Sequence, residues 1–406
     1  MSKKGVSSNI PFSNTGLFPK EEMLEISRKS SKLLIGMPKD KQNTESRVPL
    51  TPEAVELLVN QGHEIIIESE AGKEAKYKDT DYSEKGGFIV DNKEQVYQCD
   101  IILRISPLNE EDIDTLKGDQ VVITSLNLPQ QNKQCIRKMM QKKIIAIAFE
   151  YLKDEDNSFP VRRAMSEIAG TTSILVASEY LSKSRNGKGV MLGGVTGITP
   201  TEIIVLGAGT AAEYAAKAAL GLGASLKIFD NSLIKLRRLQ KRISTRLYTS
   251  VFHPSVFMKD LKSADAVIGA MYQKEDQPRI LISEDMIQQM KEGSVIVDLS
   301  IDQGGCLETS ECRTIDNPAY IKHGVIHYCV PNIASRVGRT SSIALSNVFS
   351  PILVKIGEYG GILNYLKENR GLRNGVYIYN GILTSNQIGK HFDIPSRDID
   401  LLMAAF

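Results

Sequence analysis

The sequence predicts an α/β protein of two doubly wound domains, the second inserted into a discontinuous first. Three observations carry this reading. Short apolar runs rich in Ile, Val and Leu alternate with helical and turn segments, the pattern of buried, mainly parallel strands. The series runs twice, interrupted by a long helical stretch and the glycine-rich GKGVMLGGVTGITP (187–200). Helical patterns then return over 340–370 and near 384–392, late enough in the chain to fold back onto the first unit. The expected boundaries are an N-terminal extension (1–32), a first domain (33–160 and 340–406) and an inserted domain (161–339), with a cleft between the two.

Taken in order, residues 1–30 are polar and rich in Ser and Lys, with one short helix expected over 19–30. LLIGM (33–37) is the first strand, and Thr51-Pro52 starts a helix reaching Asn60. HEIIIES (63–69), GFIV (87–90), DIILRIS (100–106), VVITSL (121–126) and KIIAIAF (143–149) follow as strands, the last preceded by a helix over 129–142. A helix over roughly 161–184 leads to the second series: EIIVLG (202–207), LKIFD (226–230), RLYTS (246–250), DAVIGAM (265–271), SVIVDLS (294–300) and VIHYCV (325–330).

Composition narrows the function classes. At 406 residues, with 42% hydrophobic and 24% charged residues, the chain has ordinary globular chemistry and room for two domains. A net charge of +2 gives no broad basic field for nucleic acid. The basic run KLRRLQKR (235–242) reads as a solvated helix face, although a lysine within it could touch a cofactor. No apolar run approaches the roughly 20 residues that span a bilayer, and the N-terminus lacks the apolar core of a signal peptide. Cysteines 99, 135, 306, 312 and 329 form no CxxC pair and no metal spacing with the histidines. Reduced cytoplasmic thiols are therefore expected, without structural zinc or disulfides.

TEIIVLGAGTAAEYAAKAALGLGASLKIFD (201–230) sets a GxG motif in the context it requires. A buried strand runs into Gly207, Ala208 and Gly209, and an alanine-rich helix follows at once. The first glycine allows the tight turn and the second lets backbone approach a pyrophosphate, with Ala212 at the close-packing position. Phosphate charge would sit at the helix N-terminus, where free N–H groups and the helix dipole favour an anion. Asp230 ends the next strand, where a carboxylate accepts ribose hydroxyls and repels a 2′-phosphate. The expected cofactor is NAD on a Rossmann-like domain.

Other candidates lie at strand ends, where open α/β sheets collect ligands. Asp302, in VIVDLSIDQGGC (295–306), is placed to face the nicotinamide, and a turn or N-cap aspartate is the plain alternative. Arg47, in TESRVPLTP (44–52), could grip a carboxylate bidentately or simply be solvated. Ser166, in FPVRRAMSEIAG (159–170), is read as a hydroxyl at a helix start, for cofactor phosphates or for capping. VVITSLNLP (121–129) ends a strand in Asn127, which on its own passes for a turn residue.

From Leu33 to its end the sequence resembles the alanine dehydrogenase and nicotinamide nucleotide transhydrogenase alpha-subunit family. The carrying segments are 35–72, MSEIAG (165–170), GVMLGGVTGITPTEIIVLGAGTAA (189–212), VDLSIDQGGC (297–306) and HYCVPNIASRVGRTSS (327–342). MSEIAG, IDQGGC and CVPN look like the alanine dehydrogenase branch, which argues against a transhydrogenase-like subunit. The resemblance implies two domains, a homo-hexamer, a small amino-acid or 2-oxo-acid substrate, and NAD-linked deamination of L-alanine to pyruvate and ammonia in amino-acid catabolism. It implies that Arg47 holds the substrate carboxylate and that Asp302 is the catalytic aspartate. It also implies that Ser166, Thr210, Ala211, Asp230, Lys235, Leu299, Ser300, Ile301, Asp302, Val330, Asn332 and Ile333 line the NAD site beside Gly207 and Gly209.

Two positions depart from the family pattern. The family's substrate-binding lysine falls at Ser106 or Pro107, leaving Arg104 as the only nearby cation and making Ser106 and Arg104 the substrate-binding candidates there. The catalytic histidine of a Leu-His-Leu segment aligns with Asn127, the candidate at that catalytic position. Asparagine hydrogen-bonds but relays no proton at ordinary pH, and lost acid–base assistance costs about 10²–10⁴ in rate. Three functions follow as alternatives: an alanine dehydrogenase, a dehydrogenase for another amino or oxo acid, and a catalytically weakened NAD-binding sensor or assembly protein.

Overall fold

The computed structural model describes residues 30–40, 45–128, 131–271 and 282–404. The helix expected over 19–30 and most of the N-terminal extension lie outside the described residues, as do Thr44 and Pro129.

The first sheet is built from β1 (Leu34–Met37), β2 (Glu64–Glu68), β3 (Phe88–Val90), β4 (Ile101–Leu103), β5 (Val121–Thr124) and β6 (Ile145–Ala148). Its parallel part runs β3-β2-β1-β4-β5-β6. The second sheet holds β7 (Glu202–Leu206), β8 (Ser225–Phe229), β9 (Tyr248–Ser250), β10 (Ala266–Gly269), β11 (Val295–Asp298), β12 (Ala319–Lys322) and β13 (Val325–Tyr328). Its parallel part runs β9-β8-β7-β10-β11-β13, the same winding as the first. In each sheet the order reverses between the first and fourth strands, and such a switch point opens a crevice at the strand carboxyl ends. Central strands are buried on both faces, which is why β4, β5, β6, β10 and β11 read as unbroken apolar runs.

Three strands escaped the sequence reading, and both sheets are mixed rather than purely parallel. β12 pairs antiparallel with β13, and β14 (Val376–Tyr379) and β15 (Ile382–Leu383) form a hairpin that adds antiparallel to β6. Each hairpin turns on two left-handed residues, His323-Gly324 (φ 54° and 74°) and Asn380-Gly381 (φ 47° and 80°). An Asn-Gly pair between apolar runs is a strong hairpin signal, so β14–β15 was legible. The chain thus returns to the first domain as several helices and a hairpin, not as helices alone.

The long helix Pro160–Leu181 crosses between the sheets and packs on the helix Thr210–Gly221. The contact is close because both faces are small: a Cβ on Gly170 would lie 2.1 Å from the Ala211 carbonyl oxygen. Ala212, Ala215, Ala216 and Ala219 are fully buried, pressed between that helix and the sheet. Ser166 is a correction in detail. The helix starts at Pro160, so Ser166 lies in its second turn and caps nothing. Gly170, one turn farther on, is the residue that meets the helix Thr210–Gly221.

Candidate active site

The cofactor cradle forms where β7 meets its helix. Gly207 has φ 104°, and a Cβ there would lie 2.5 Å from the Ala270 carbonyl oxygen after β10. Only glycine fits that approach across the switch point. Gly209 is different: φ is −86°, no side chain caps the helix it starts, and a Cβ would meet no protein atom within 4 Å. The space before Gly209 and the half-buried Thr210 and Ala211 is open, with helix N–H groups directed into it. That open cradle fits a pyrophosphate. Gly209→Val is accordingly expected to leave the melting temperature within about 2 °C of wild type, because no packed atom is displaced. The same change should weaken NADH binding by about tenfold or more in a fluorescence titration, since the branched side chain fills the phosphate space. Unchanged affinity would place the pyrophosphate elsewhere.

Asp230 ends β8 and is buried. One oxygen accepts the Ala208 N–H at 2.8 Å and the other the Ser232 N–H at 2.7 Å. The carboxylate therefore braces the glycine turn, and its remaining lone pairs are available for ribose hydroxyls. Lys235 lies 4.0 Å from it, close enough to compensate its charge. Beyond β11, Leu299 is half-buried, and the Ser300 hydroxyl is engaged by the Met271 backbone, donating to its oxygen at 2.8 Å. Ser300 thereby ties the ends of β10 and β11 together. The side chains of Ile301, Val330 and Ile333 are buried, the last two within the core of the second sheet. What these positions present to the cleft is chiefly backbone.

At the substrate end, the loop after β1 carries Glu45 and Arg47. Arg47 Nε donates to Glu45 Oε1 at 2.7 Å and Nη2 to Oε2 at 2.7 Å, with the Arg47 side chain 10% exposed. Glu45 takes the inner edge of the guanidinium, leaving N–H groups on the outer edge, where Nη1 lies 3.3 Å from Met165 Sδ. Burial pushes the Glu45 carboxyl up, but the Arg47 charge and hydrogen bonds outweigh it and hold the pKa low. The extended loop is buried without strand partners, so its N–H groups need acceptors. Serines supply them: Ser335 to Ser46 at 3.0 Å, Ser342 to Val48 at 2.8 Å and Ser346 to Thr51 at 2.7 Å. Ser342 and Ser346 lie one turn apart on the helix Gly338–Glu358. Gly338 lets that helix touch the loop, since a Cβ there would lie 2.4 Å from the Ser46 carbonyl oxygen.

Asp302 lies in the short turn Ile301–Gln303 after β11 and accepts the Asn332 N–H at 3.2 Å. Its side chain is exposed along the cleft, yet protein crowds it on the other sides. That partial desolvation pushes its pKa up to about 6, against the opposing pull of the Asn332 hydrogen bond and Arg47. The charges of Arg47 and Asp302 sense one another directly. The structure thus brings a cation from one sheet and a carboxylate from the other to the same cleft.

Arg104 is not a substitute substrate cation, and that expectation is corrected. It is 3% exposed, donating to Asp40 at 2.8 Å, to Asp112 at 2.7 Å and to the Tyr97 hydroxyl at 3.1 Å. Withdrawing one partner from such a buried pair costs about 3–5 kcal/mol, too much for a ligand to compete for it. Ser106 is half-buried, its N–H 3.2 Å from Asp40, so the residue in the lysine position is neutral and small. Asn127 is exposed and left-handed, with φ 37°. Its turn hangs on Glu150, whose Oε1 accepts the Leu126 N–H at 2.8 Å and the Asn127 N–H at 3.3 Å. Sequence reading missed Glu45, Glu150 and the serines. Only the four-residue spacing of Ser342, Ser346 and Ser350 hinted at a polar helix face. Among the described residues no group of three or more His, Cys, Asp or Glu is placed to hold a metal.

Comparison with known proteins places these features in context. Residues 36–169 match the family model "Alanine dehydrogenase/PNT, N-terminal domain", and residues 173–386 match its C-terminal domain counterpart. The alanine dehydrogenase of Staphylococcus saprophyticus is 36% identical over 369 residues, covering 91% of this chain and 99% of that protein. Alanine dehydrogenase 2 of Staphylococcus aureus is 36% identical over 367 residues, covering 90% and 98%. A solved L-alanine dehydrogenase superposes with a TM-score of 0.83 at 32% identity, covering 89% of this chain and 99% of that one. A transhydrogenase from Sinorhizobium meliloti shares the fold, with a TM-score of 0.73 at 21% identity, covering 87% and 99%.

Proposed function

The chain belongs to the alanine dehydrogenase/PNT family, and from that premise we propose that it is an NAD-dependent dehydrogenase acting on the CH–NH2 group of an α-amino acid, L-alanine first, yielding pyruvate and ammonia. The observation that carries the reading is the meeting of Arg47 and Asp302 in one cleft, a cation for the carboxylate and an anion for the ammonium of a zwitterion. Gly207, Gly209, Thr210, Ala211 and Asp230 would hold NAD, with Ser166, Lys235, the 299–301 segment and the 330–333 segment around it. Bound there, NAD supplies the two-electron acceptor. Arg47 receives the carboxylate on its outer N–H edge, and Asp302 orients the amino group and takes its proton. Once the α-carbon has given up its hydride, water adds there and the C–N bond breaks as ammonia leaves. Asn127 donates a hydrogen bond to that water oxygen, which becomes the carbonyl, and Ser106 leaves room beside it.

The test is NADH formation, followed by absorbance, with L-alanine and a panel of amino acids, and NADH consumption with pyruvate plus ammonium. No turnover across the panel from protein that binds NADH defeats the reading. With L-alanine, kcat/KM should fall on the acid side with an apparent pKa of about 6. The sign follows from the raised pKa: Asp302 is protonated below that value and unable to accept a proton, and becomes the competent base above it. An Asp302→Glu profile with an unmoved acid limb would assign the limb to another group.

A second reading, a catalytically weakened NAD-binding sensor or assembly protein, is favoured by Asn127, by Ser106 and by the commitment of Arg104 to two carboxylates. A homo-hexamer working in cytoplasmic amino-acid catabolism accompanies the first reading. Five unpaired cysteines support a reducing compartment, and light scattering checks the assembly.

A further inference from the structure

Glu45 stands apart from the other carboxylates of the cleft in the number and origin of its partners. Its Oε1 accepts from Arg47 N at 3.0 Å, Arg47 Nε at 2.7 Å and the Ser335 hydroxyl at 2.7 Å. Its Oε2 accepts from Arg47 Nη2 at 2.7 Å and Asn332 Nδ2 at 3.0 Å. Every partner is a donor, and Asn332 is 287 residues away in sequence, on the loop after β13. Asn332 is itself divided between the two carboxylates of the cleft. Its side chain serves Glu45, while its backbone N–H serves Asp302 at 3.2 Å, from a left-handed conformation with φ 56°.

We infer that Glu45 is a positioning residue that sets the guanidinium of Arg47 and registers it, through Asn332, to the carboxylate of Asp302. The inference rests on the amino-acid dehydrogenase reading. A continuous hydrogen-bonded chain, Arg47–Glu45–Asn332–Asp302, fixes how far apart the carboxylate-binding and amino-binding groups stand. Glu45 occupies the inner edge of Arg47, so a substrate carboxylate meets only the outer edge and has one orientation. The turn holding Asp302 is fixed separately by Asp298, which accepts the Ser300 N–H at 2.8 Å, the Cys306 N–H at 3.0 Å and the Ser310 hydroxyl at 2.6 Å. With that anchor in place, the link that ties the two charged groups of the site to one another runs through Glu45, beside the Ser46–Ser335 contact.

Five converging donors require an acceptor-only group. Glutamine at 45 would turn an NH2 toward an Arg47 N–H in either orientation, and toward the Ser335 hydroxyl or Asn332 Nδ2 as well, freeing the guanidinium to rotate. The experiment compares wild type, Glu45→Gln, Glu45→Asp and Asn332→Ala in steady-state kinetics with L-alanine and by NADH fluorescence titration. Glu45→Gln should lose about 10- to 100-fold in kcat/KM, mostly as a raised KM for the amino acid, as expected when a substrate-binding group is misplaced. NADH affinity should stay within about twofold of wild type, since the cradle at Gly209 is untouched. Asn332→Ala, which breaks the link but leaves the Glu45–Arg47 pair, should raise the KM by less. Glu45→Asp should recover part of the loss.

Kinetics of Glu45→Gln within twofold of wild type overturn the inference. So does a loss confined to kcat, or one matched by lost NADH affinity, since either makes Glu45 a general structural residue. If Glu45→Gln fails to fold, Glu45→Asp decides by the same criteria, with a smaller expected loss. A wild type that turns over no amino acid defeats the functional reading instead. The inference is then decided by titrating pyruvate, without ammonium, into the NADH-loaded protein. Weaker pyruvate binding to Glu45→Gln than to wild type supports it, and equal or absent binding overturns it.

Discussion

Replacing Asp302 by Asn is expected to lower kcat with L-alanine by about 10²–10⁴, the usual contribution of a positioned acid–base group. The substitution keeps the shape and an acceptor oxygen for the Asn332 N–H, which lies 3.2 Å away in the native protein, so the turn should hold. On the proposed function, what it removes is the charge that would receive the ammonium and the group that would take its proton. NADH affinity and melting temperature should move little, and the acid limb of the pH profile should vanish with the carboxylate. Of the candidate residues in the cleft, Asp302 is the one that changes charge near neutrality. Arg47 stays cationic, Asn127 and Ser106 are neutral throughout, and Glu45 is held ionised by Arg47. A kcat within tenfold of wild type would mean that protons leave by another route.

The second large effect is a gain. Asn127→His combined with Ser106→Lys should raise kcat/KM for L-alanine by about 10²-fold, by restoring a proton relay and a cation. The backbone permits the first change, because histidine is among the residues that adopt left-handed φ, and Asn127 sits at 37°. Glu150 holds the turn through backbone N–H groups, so a new side chain inherits the same placement. The second change has a ready counter-charge, since the Ser106 N–H already lies 3.2 Å from Asp40. Stopped-flow or steady-state NADH absorbance on both single variants and the double variant measures the gain. A double variant that leaves a robust wild-type rate unchanged would remove the case for a weakened sensor protein. It would favour a dehydrogenase that moves protons through Asp302 alone. A gain confined to alanine, with the wild type preferring another amino acid, would identify Asn127 and Ser106 as specificity residues.

Much of this was legible before any coordinates. The parallel strands declared themselves as short apolar runs because strands buried on both faces need apolar residues at every position. The candidate cradle was legible as geometry because its demands are local: a turn that only Gly207 can make, a helix start left open at Gly209, and a carboxylate at the end of the next strand. The edge strands were harder. β12, with alternating and partly exposed residues, offers little apolar signal, and only its two-residue turn marks it. Ser166 was misplaced within its helix by half a dozen residues, because Pro160 at the first helical position sets the start and the later MSEIAG does not.

Sequence patterns alone were enough to read two doubly wound sheets, to expect a dinucleotide at Gly207–Gly209 and Asp230, and to find the family histidine and lysine replaced. Which charges are free to act depends on contacts that form in three dimensions. In sequence Arg104 and Arg47 are both arginines near the ends of strands, yet one is locked between Asp40 and Asp112 while the outer edge of the other meets only the weak acceptor Met165 Sδ, with Asp302 nearby. Charge pairing depends on distance in space and on burial, and Glu45 finds one of its partners 287 residues along the chain. Local periodicity carries no record of such contacts, because they form only when two separately legible sheets close on one cleft.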